Sequence, residues 1–271
     1  MIRDITLGKY YNADSPVHRL DPRTKLIITF AYLISLFIYK SPAVYICAFI
    51  FLLSATLVSK VPFKYILKGL KPVWFILIFT SLMNLFFTGG EPVFSWWRIN
   101  ISREGIERTG LMLSRFMLMI FGSNLMTLTT TPTRLTSALE SLMKPLKVIH
   151  FPVHEIAMMM SIALRFIPIL VDETNKIMKA QLSRGADFES GNIYRKVKSL
   201  VPVLVPLFIS AFRRAGDLAM AMEARCYHGG EGRTQMNPLK YKARDGIAFA
   251  VFIFYIITIV FWGSLIPRIT G

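Results

Sequence analysis

The sequence predicts an all-α integral membrane protein, with about five transmembrane helices and a cytoplasmic region of long helices. Three observations lead there. Hydrophobic residues fill 54% of the 271 positions, above the ~45–50% of soluble domains even though glycine is not counted. The excess is gathered into five runs almost free of charge, residues 26–39, 43–58, 73–87, 110–128 and 247–266. The basic residues gather between these runs, on one side of the membrane they would cross.

A bilayer core takes ~20 apolar residues, with ~17 as the usual lower bound. The fourth and fifth runs meet that length. The first three are shorter, so they must recruit flanking residues such as Thr24 and Lys25 or thin the bilayer locally. Residues 1–20 are polar and hold no apolar core, so no cleavable signal is expected and the first run serves for insertion. Lys40-Ser41-Pro42 joins the first two runs by a short outer turn. Between the third and fourth runs, Gly89-Gly90, Pro92 and Trp96-Trp97 read as an external interfacial segment, its tryptophans at the headgroup layer. Arg115 stands five residues into the fourth run. An intramembrane charge is a functional candidate by default, but this close to a helix end the preferred reading is an arginine that snorkels to the interface.

Net charge is +16, from 32 Lys and Arg against 16 Asp and Glu. Residues 1–25 carry five basic side chains, the loop 59–72 carries four and no acid, and residues 130–245 carry seventeen with ten acids. These segments share one side if all five runs span, and the positive-inside rule makes that side the cytoplasm. The N-terminus is then cytoplasmic and residues 267–271 lie outside. A soluble protein this basic would suggest nucleic acid; charge placed at span ends makes no such partner necessary. Cys47 lies in a membrane run and Cys226 in the cytoplasmic segment, so no disulfide joins them. The expected division is 1–129, an N-terminal membrane region of four spans; 130–245, the cytoplasmic region; and 246–271, a C-terminal transmembrane helix.

Beyond residue 128 the character changes. Thr131-Pro132 suits a helix start, threonine as N-cap and proline in the first turn, and that helix runs to about Lys147. Phe151-Pro152 breaks the chain. A second helix is expected from about Val153 to Arg184, and a third from about Asn192 to Arg225, with Pro202 and Pro206 as kinks. The apolar stretches inside them, 156–164 and 200–212, are shorter than a span and fit interfacial or protein-packed helices. Counting them as spans gives the rival topology of seven.

Enzyme signatures are missing. Gly8-Lys9 is followed by Tyr10, so it is no phosphate-binding loop. His154-Glu155 begins a zinc-protease pattern, but Met158 occupies the second histidine position. Two cysteines and four scattered histidines offer no metal-ligand spacing, and no carboxylate lies within the runs. No cofactor is expected, and any energy for active transport must come from elsewhere.

The strongest positive signal is a pair of similar helix ends. Lys179-Ala180-Gln181-Leu182-Ser183-Arg184-Gly185 and Met220-Ala221-Met222-Glu223-Ala224-Arg225-Cys226 each close a run of helix formers with a small residue, an arginine and a break. Gly185 suits the left-handed closing position, and Gly229 is expected to serve the second end less tightly. One terminal arginine does no more than complement the helix dipole, for ~0.3–1 kcal/mol. Two of them, 41 positions apart and flanked by small residues, suggest paired docking knobs, since a guanidinium binds a partner carboxylate in bidentate fashion. Methionines 158–160, 178, 220 and 222 supply soft surface near these ends, as plain helix packing also would.

With these residues the chain resembles the transmembrane T component (EcfT) of energy-coupling factor transporters, a branch of the ABC importers marked by two Ala-Arg-Gly motifs at the ends of its coupling helices. The resemblance extends through His18-Arg19-Leu20-Asp21-Pro22-Arg23-Thr24-Lys25, Thr129-Thr130-Thr131-Pro132 and Leu164-Arg165-Phe166-Ile167-Pro168, and so covers nearly the whole chain. It departs from the motif twice, with Ser183 for alanine and Cys226 for glycine. Cysteine disfavours positive φ.

The resemblance implies a bacterial plasma-membrane scaffold that catalyses nothing itself. Two cytoplasmic ABC ATPase subunits bind the ATP, and each receives one arginine, Arg184 or Arg225. Ser183, Gly185, Ala224 and Cys226 shape the tips. A separate membrane S component captures a vitamin or other micronutrient, and the T component couples ATPase motion to its toppling. Two rivals make different demands. A polytopic membrane enzyme needs a catalytic constellation, and a self-sufficient channel or carrier needs midplane acids or paired broken spans in repeated halves. The sequence carries neither.

Overall fold

A computed structural model describes residues 10–39, 41–89, 92–96, 99–188, 192–229 and 238–265. Lys40 of the outer turn, the second tryptophan Trp97, the basic residues Arg3 and Lys9, and residues 267–271 lie outside these. The elements run α1 (Pro22–Ile38), α2 (Pro42–Ser59), α3 (Phe63–Lys68), α4 (Trp74–Phe87), β1 (Pro92–Trp96), β2 (Ile99–Ser102), α5 (Arg103–Thr129), α6 (Pro132–Met143), a 3-10 turn (Lys144–Ile149), α7 (Val153–Ser183), α8 (Ile193–Ala224) and α9 (Ala243–Leu265). The described residues divide into two units, one within 10–138 and 239–265, the other within 139–238.

The first unit is a helical bundle around α5, which packs against α1, α2, α3 and α4, while α9 lies on α1 and α2. Its core is small and aromatic-rich. Leu36, Val44 and Ala48 are fully buried, and Phe51 stacks on Tyr255 with ring centroids 4.5 Å apart. The outward faces are apolar instead of polar: Phe75 is 79% exposed and Phe254 73%. Water would not tolerate so much contiguous apolar surface, whereas lipid is its natural solvent and the helices satisfy their own backbone groups.

Among the described residues, five helical stretches are long and apolar enough to cross a membrane: Pro42–Ser59, Arg103–Thr129, Val153–Ser183, Lys196–Ala224 and Ala243–Gly263. The number matches the sequence expectation, but the membership differs. Three stretches are shared. The runs at 26–39 and 73–87 fold as α1, of 17 residues, and α4, of 14, both short for a span. The two others, α7 and α8, continue as helix through Pro168 and through Pro202 and Pro206, which joins apolar stretches that the sequence shows only as fragments.

A buried polar lattice pins this bundle at one end. Asp21 caps α1, accepting from the Arg23 amide at 2.9 Å, with Pro22 in the first turn. The buried Asp245 accepts from the Asp21 amide at 2.7 Å and the Lys242 amide at 2.8 Å, which ties the start of α9 to the start of α1. Lys25 donates to the Thr129 carbonyl at 2.7 Å, placing a cation at the C-terminal end of α5, where the helix dipole favours it. His18 accepts from the Ser15 hydroxyl at Nδ1 and donates to the Tyr11 carbonyl from Nε2, 2.7 and 3.0 Å.

The segment after α4, expected as an interfacial stretch, forms an antiparallel hairpin. Phe94, Ser95 and Trp96 pair with Ile101, Asn100 and Ile99, and a register shift separates them from the Pro92–Ser102 pair. Ser102 ends the hairpin and caps α5, accepting from the Gly105 amide at 3.0 Å. Arg115 is anchored to a neighbouring helix: both Nε and a terminal nitrogen donate to the Tyr45 hydroxyl, at 3.0 and 2.6 Å.

In the second unit, α7 and α8 run past one another in opposite senses. Gln181 donates to the Pro202 carbonyl, and Arg214 pairs with Glu173 at 2.9 Å. Before them, His150 takes a left-handed φ of 57° and turns the chain at Phe151-Pro152, where the sequence places a break.

Candidate functional site

The predicted docking residues occupy two helix tips built alike. At the end of α7, Gly185 has φ 83°. Its amide donates to the Leu182 carbonyl and the Ala186 amide to Gln181, each at 3.0 Å. At the end of α8, Cys226 has φ 55°; its amide donates to Glu223 at 2.8 Å and the Tyr227 amide to Met222 at 3.0 Å. Every donor and acceptor in the second set lies 41 positions after its counterpart in the first. Both closures are the paired bonding pattern in which a left-handed residue lets two amides satisfy the last carbonyls.

Gly229 was expected to close the second helix. It too has positive φ, 103°, but it lies three residues beyond the closure, and the cysteine itself turns left-handed. Substituting cysteine for glycine there sets the Cβ against the following carbonyl, a strain of roughly 1–2 kcal/mol. The paired amide bonds hold the turn despite it.

The closures fix where the arginines sit. Arg184 and Arg225 are the terminal caps, with φ,ψ of −89°, 8° and −95°, 16°, so the two backbones leave the helix in one conformation. Both side chains are exposed, as are Ser183, Gly185, Ala224 and Cys226. The Ser183 hydroxyl folds back onto the Lys179 carbonyl at 3.1 Å, so its polarity is spent within the helix and it behaves as a small residue. The exposed apolar side chains Leu182 and Met220 stand within a turn or so of the two arginines. A guanidinium on an apolar rim suits a partner groove that buries the rim and answers the charge with carboxylate.

The spacing of the tips follows from the crossing. Arg184 lies eleven positions beyond Glu173, and Arg225 eleven beyond Arg214, on helices of opposite sense. At 1.5 Å per residue each tip projects about 16 Å from the ion pair, in opposite directions. One small partner groove cannot receive both. Along its length α8 leaves Val197, Val201, Val205, Phe208 and Phe212 exposed, an apolar face at helical spacing.

Sequence reasoning missed two features. The buried Asp245 was legible only as an acid just ahead of the last apolar run. The polar lattice around Lys25 joins residues more than a hundred positions apart, so only the segment 18–25 was visible, and without a role. Among the described residues no group of three or more His, Cys, Asp or Glu is placed to hold a metal ion.

The chain matches the family model described as cobalt transport protein, CbiQ, over residues 13–236. It is 52% identical over 270 residues to the energy-coupling factor transporter transmembrane protein EcfT of Clostridium kluyveri, covering 97% of this chain and 100% of that one. It is 49% identical over 260 residues to the protein of that name from Ruminiclostridium cellulolyticum, covering 96% and 97%. Against the one from Lactococcus lactis identity is 42% over 265 residues, with 97% and 100% covered.

Proposed function

The chain belongs to the cobalt transport protein (CbiQ) family, with energy-coupling factor transporter transmembrane proteins as close relatives along nearly all of its length, and from that membership we propose how it works. It is a multi-pass transmembrane component of such a transporter. In our reading it is the coupling subunit: two cytoplasmic ABC ATPases each take one arginine tip, and a membrane S component rests on the apolar faces of α7 and α8. ATP is bound and hydrolysed by the ATPases, and this chain holds no cofactor. Residues 130–245 form the cytoplasmic coupling region, with the N-terminus on the same side; α7 and α8 are long and apolar enough to cross a bilayer, but in this reading they lie along it, which keeps both arginine tips on the cytoplasmic face.

The observation that carries this reading is the repetition of one closure at two places. A single capped arginine needs no partner to explain it. Two helices that end in the same hydrogen-bonded turn, each exposing a guanidinium at the same position, are built to enter two similar grooves. A hydrogen bond to a charged group nets ~1.5–3 kcal/mol, or roughly 10- to 150-fold in affinity per tip at 1.4 kcal/mol per decade.

The test is co-purification. Arg184→Glu or Arg225→Glu alone should weaken ATPase association within that range, and the double variant should abolish it while leaving membrane insertion and thermal unfolding unchanged. Full retention of both ATPases by the double variant would overturn the assignment.

A further inference from the structure

We infer a binding site for one anionic phospholipid at the end of the bundle where the N-terminal ends of α1 and α9 meet the C-terminal ends of α2 and α5. Two cavities meet there. One, of about 410 Å³, is lined by apolar side chains of those four helices, among them Ile28, Ala55, Met126 and Val251, a volume within the ~300–1,000 Å³ of small-molecule sites. The other, of about 790 Å³, is polar and carries Arg19, Arg134, Lys242 and Arg244. Arg244 lines both. An apolar slot opening past a shared arginine into a basic bowl has the order of parts of an amphiphile: an acyl chain in the slot, a phosphate in the bowl.

Charge selects the class of headgroup. Asp14 also lines the bowl, but it is engaged by Arg19, its carboxylate accepting from the guanidinium Nε at 2.6 Å. Arg134, Lys242 and Arg244 are left facing the cavity, all exposed, and among the described residues no other carboxylate lines it. Lys25, on the floor of the slot, already donates to the Thr129 carbonyl and to the Thr130 hydroxyl at 3.4 Å and serves as structure. A zwitterionic headgroup would bring its own cation into a bowl with three, whereas a phosphatidylglycerol-type headgroup brings only the phosphate. Basic pockets between membrane helices hold anionic headgroups in this way. The site lies wholly within the bundle and is independent of how the arginine tips dock.

The experiment is native mass spectrometry of the full chain in detergent, titrated with phosphatidylglycerol or phosphatidylcholine of matched acyl chains. The wild type should retain one phosphatidylglycerol with at least tenfold preference. Arg134→Ala with Arg244→Ala, both on exposed side chains, should bring phosphatidylglycerol down to the phosphatidylcholine level. A dihexanoyl phosphatidylglycerol should bind at least tenfold more weakly than the long-chain form, because the slot stays unfilled. Equal retention of the two headgroups by the wild type, or unchanged selectivity in the double variant, overturns the proposal. In the assembled transporter, a photo-crosslinker at Val251 should label lipid; an adduct to a partner protein there would show that the slot belongs to a protein contact instead.

Discussion

At the scale of single residues, two left-handed positions decide how well the tips are formed. Gly185 has open space where a Cβ would stand, so Gly185→Ala should cost only the conformational strain, about 1 kcal/mol. Cys226→Gly should return a similar amount by relieving it. Hydrogen exchange at the Ala186 and Tyr227 amides reads both: faster in the alanine variant at the first tip, slower in the glycine variant at the second. Equal exchange in all three proteins would mean that these turns are held from elsewhere. His18 gives a residue-scale prediction of another kind. Burial holds its ring below the ordinary value of 6.5, only partly offset by the Tyr11 carbonyl, and Lys25 pushes the same way as burial. The unfolded segment therefore binds a proton below about pH 6.5 that the folded one resists, so stability is complete above that pH and is lost as pH falls through the native value. Exchange of the Tyr11 amide, bonded to the Leu128 carbonyl, should quicken as the pH falls below the ordinary histidine value of 6.5, after correction for intrinsic rate. His18→Gln should remove that dependence.

At the scale of elements, α5 is the mast of the bundle, and α1 comes close to it at Gly122, where α5 has no side chain. A Cβ on Gly122 would stand 2.8 Å from Tyr32 Cε1. That ring is buried, with Phe51 and Tyr255 beside it at centroid distances of 5.9 Å, so it has nowhere to swing. Gly122→Ala should destabilise by about 1–3 kcal/mol, the usual cost of overpacking, seen as a lower thermal midpoint in detergent. Adding Tyr32→Leu should recover part of the loss. Gly110→Ala, on the same helix with open space around the new methyl, should be neutral or mildly stabilising. A midpoint unmoved by Gly122→Ala would mean that α1 and α5 are not clamped at this contact.

At the scale of the whole molecule, the proposed orientation can be tested with the protein's own cysteines. Cys226 is exposed and Cys47 half-buried among the membrane helices, so a membrane-impermeant maleimide reports the sidedness of the α8 tip. With the coupling region cytoplasmic, Cys226 should label in inverted vesicles and stay protected in right-side-out ones, while Cys47→Ser changes neither result. Labelling from the outside alone would reverse the topology, and with it the access of the tips to ATPases. Occupancy by bound ATPases should shield the same thiol, since it sits one residue from Arg225.

The membrane class, the ends of α7 and α8 to within about a residue, and the paired arginine motif are legible in the amino-acid order alone, because these depend on near neighbours in the chain. Apolar runs, a proline or a glycine after a helix former, and a repeated tip motif all act within a few positions of themselves. Only the tertiary structure decided that Cys226 closes its helix, that Asp245 ties α9 to α1, and that Lys25 seats on the end of α5. It also showed that the helices long enough to cross a bilayer are not the same five as the charge-free runs. Cys226 is a local case: its left-handed turn is held by amide bonds to Glu223 and Met222, and the residue type alone argues against that φ. For the others distance along the chain is the cause. A buried charge is acceptable only when it is answered by hydrogen bonds, here from residues far away in the chain, and a helix continues through proline when packing outweighs the lost bond. Such partners are set by the fold, and no window of sequence contains them.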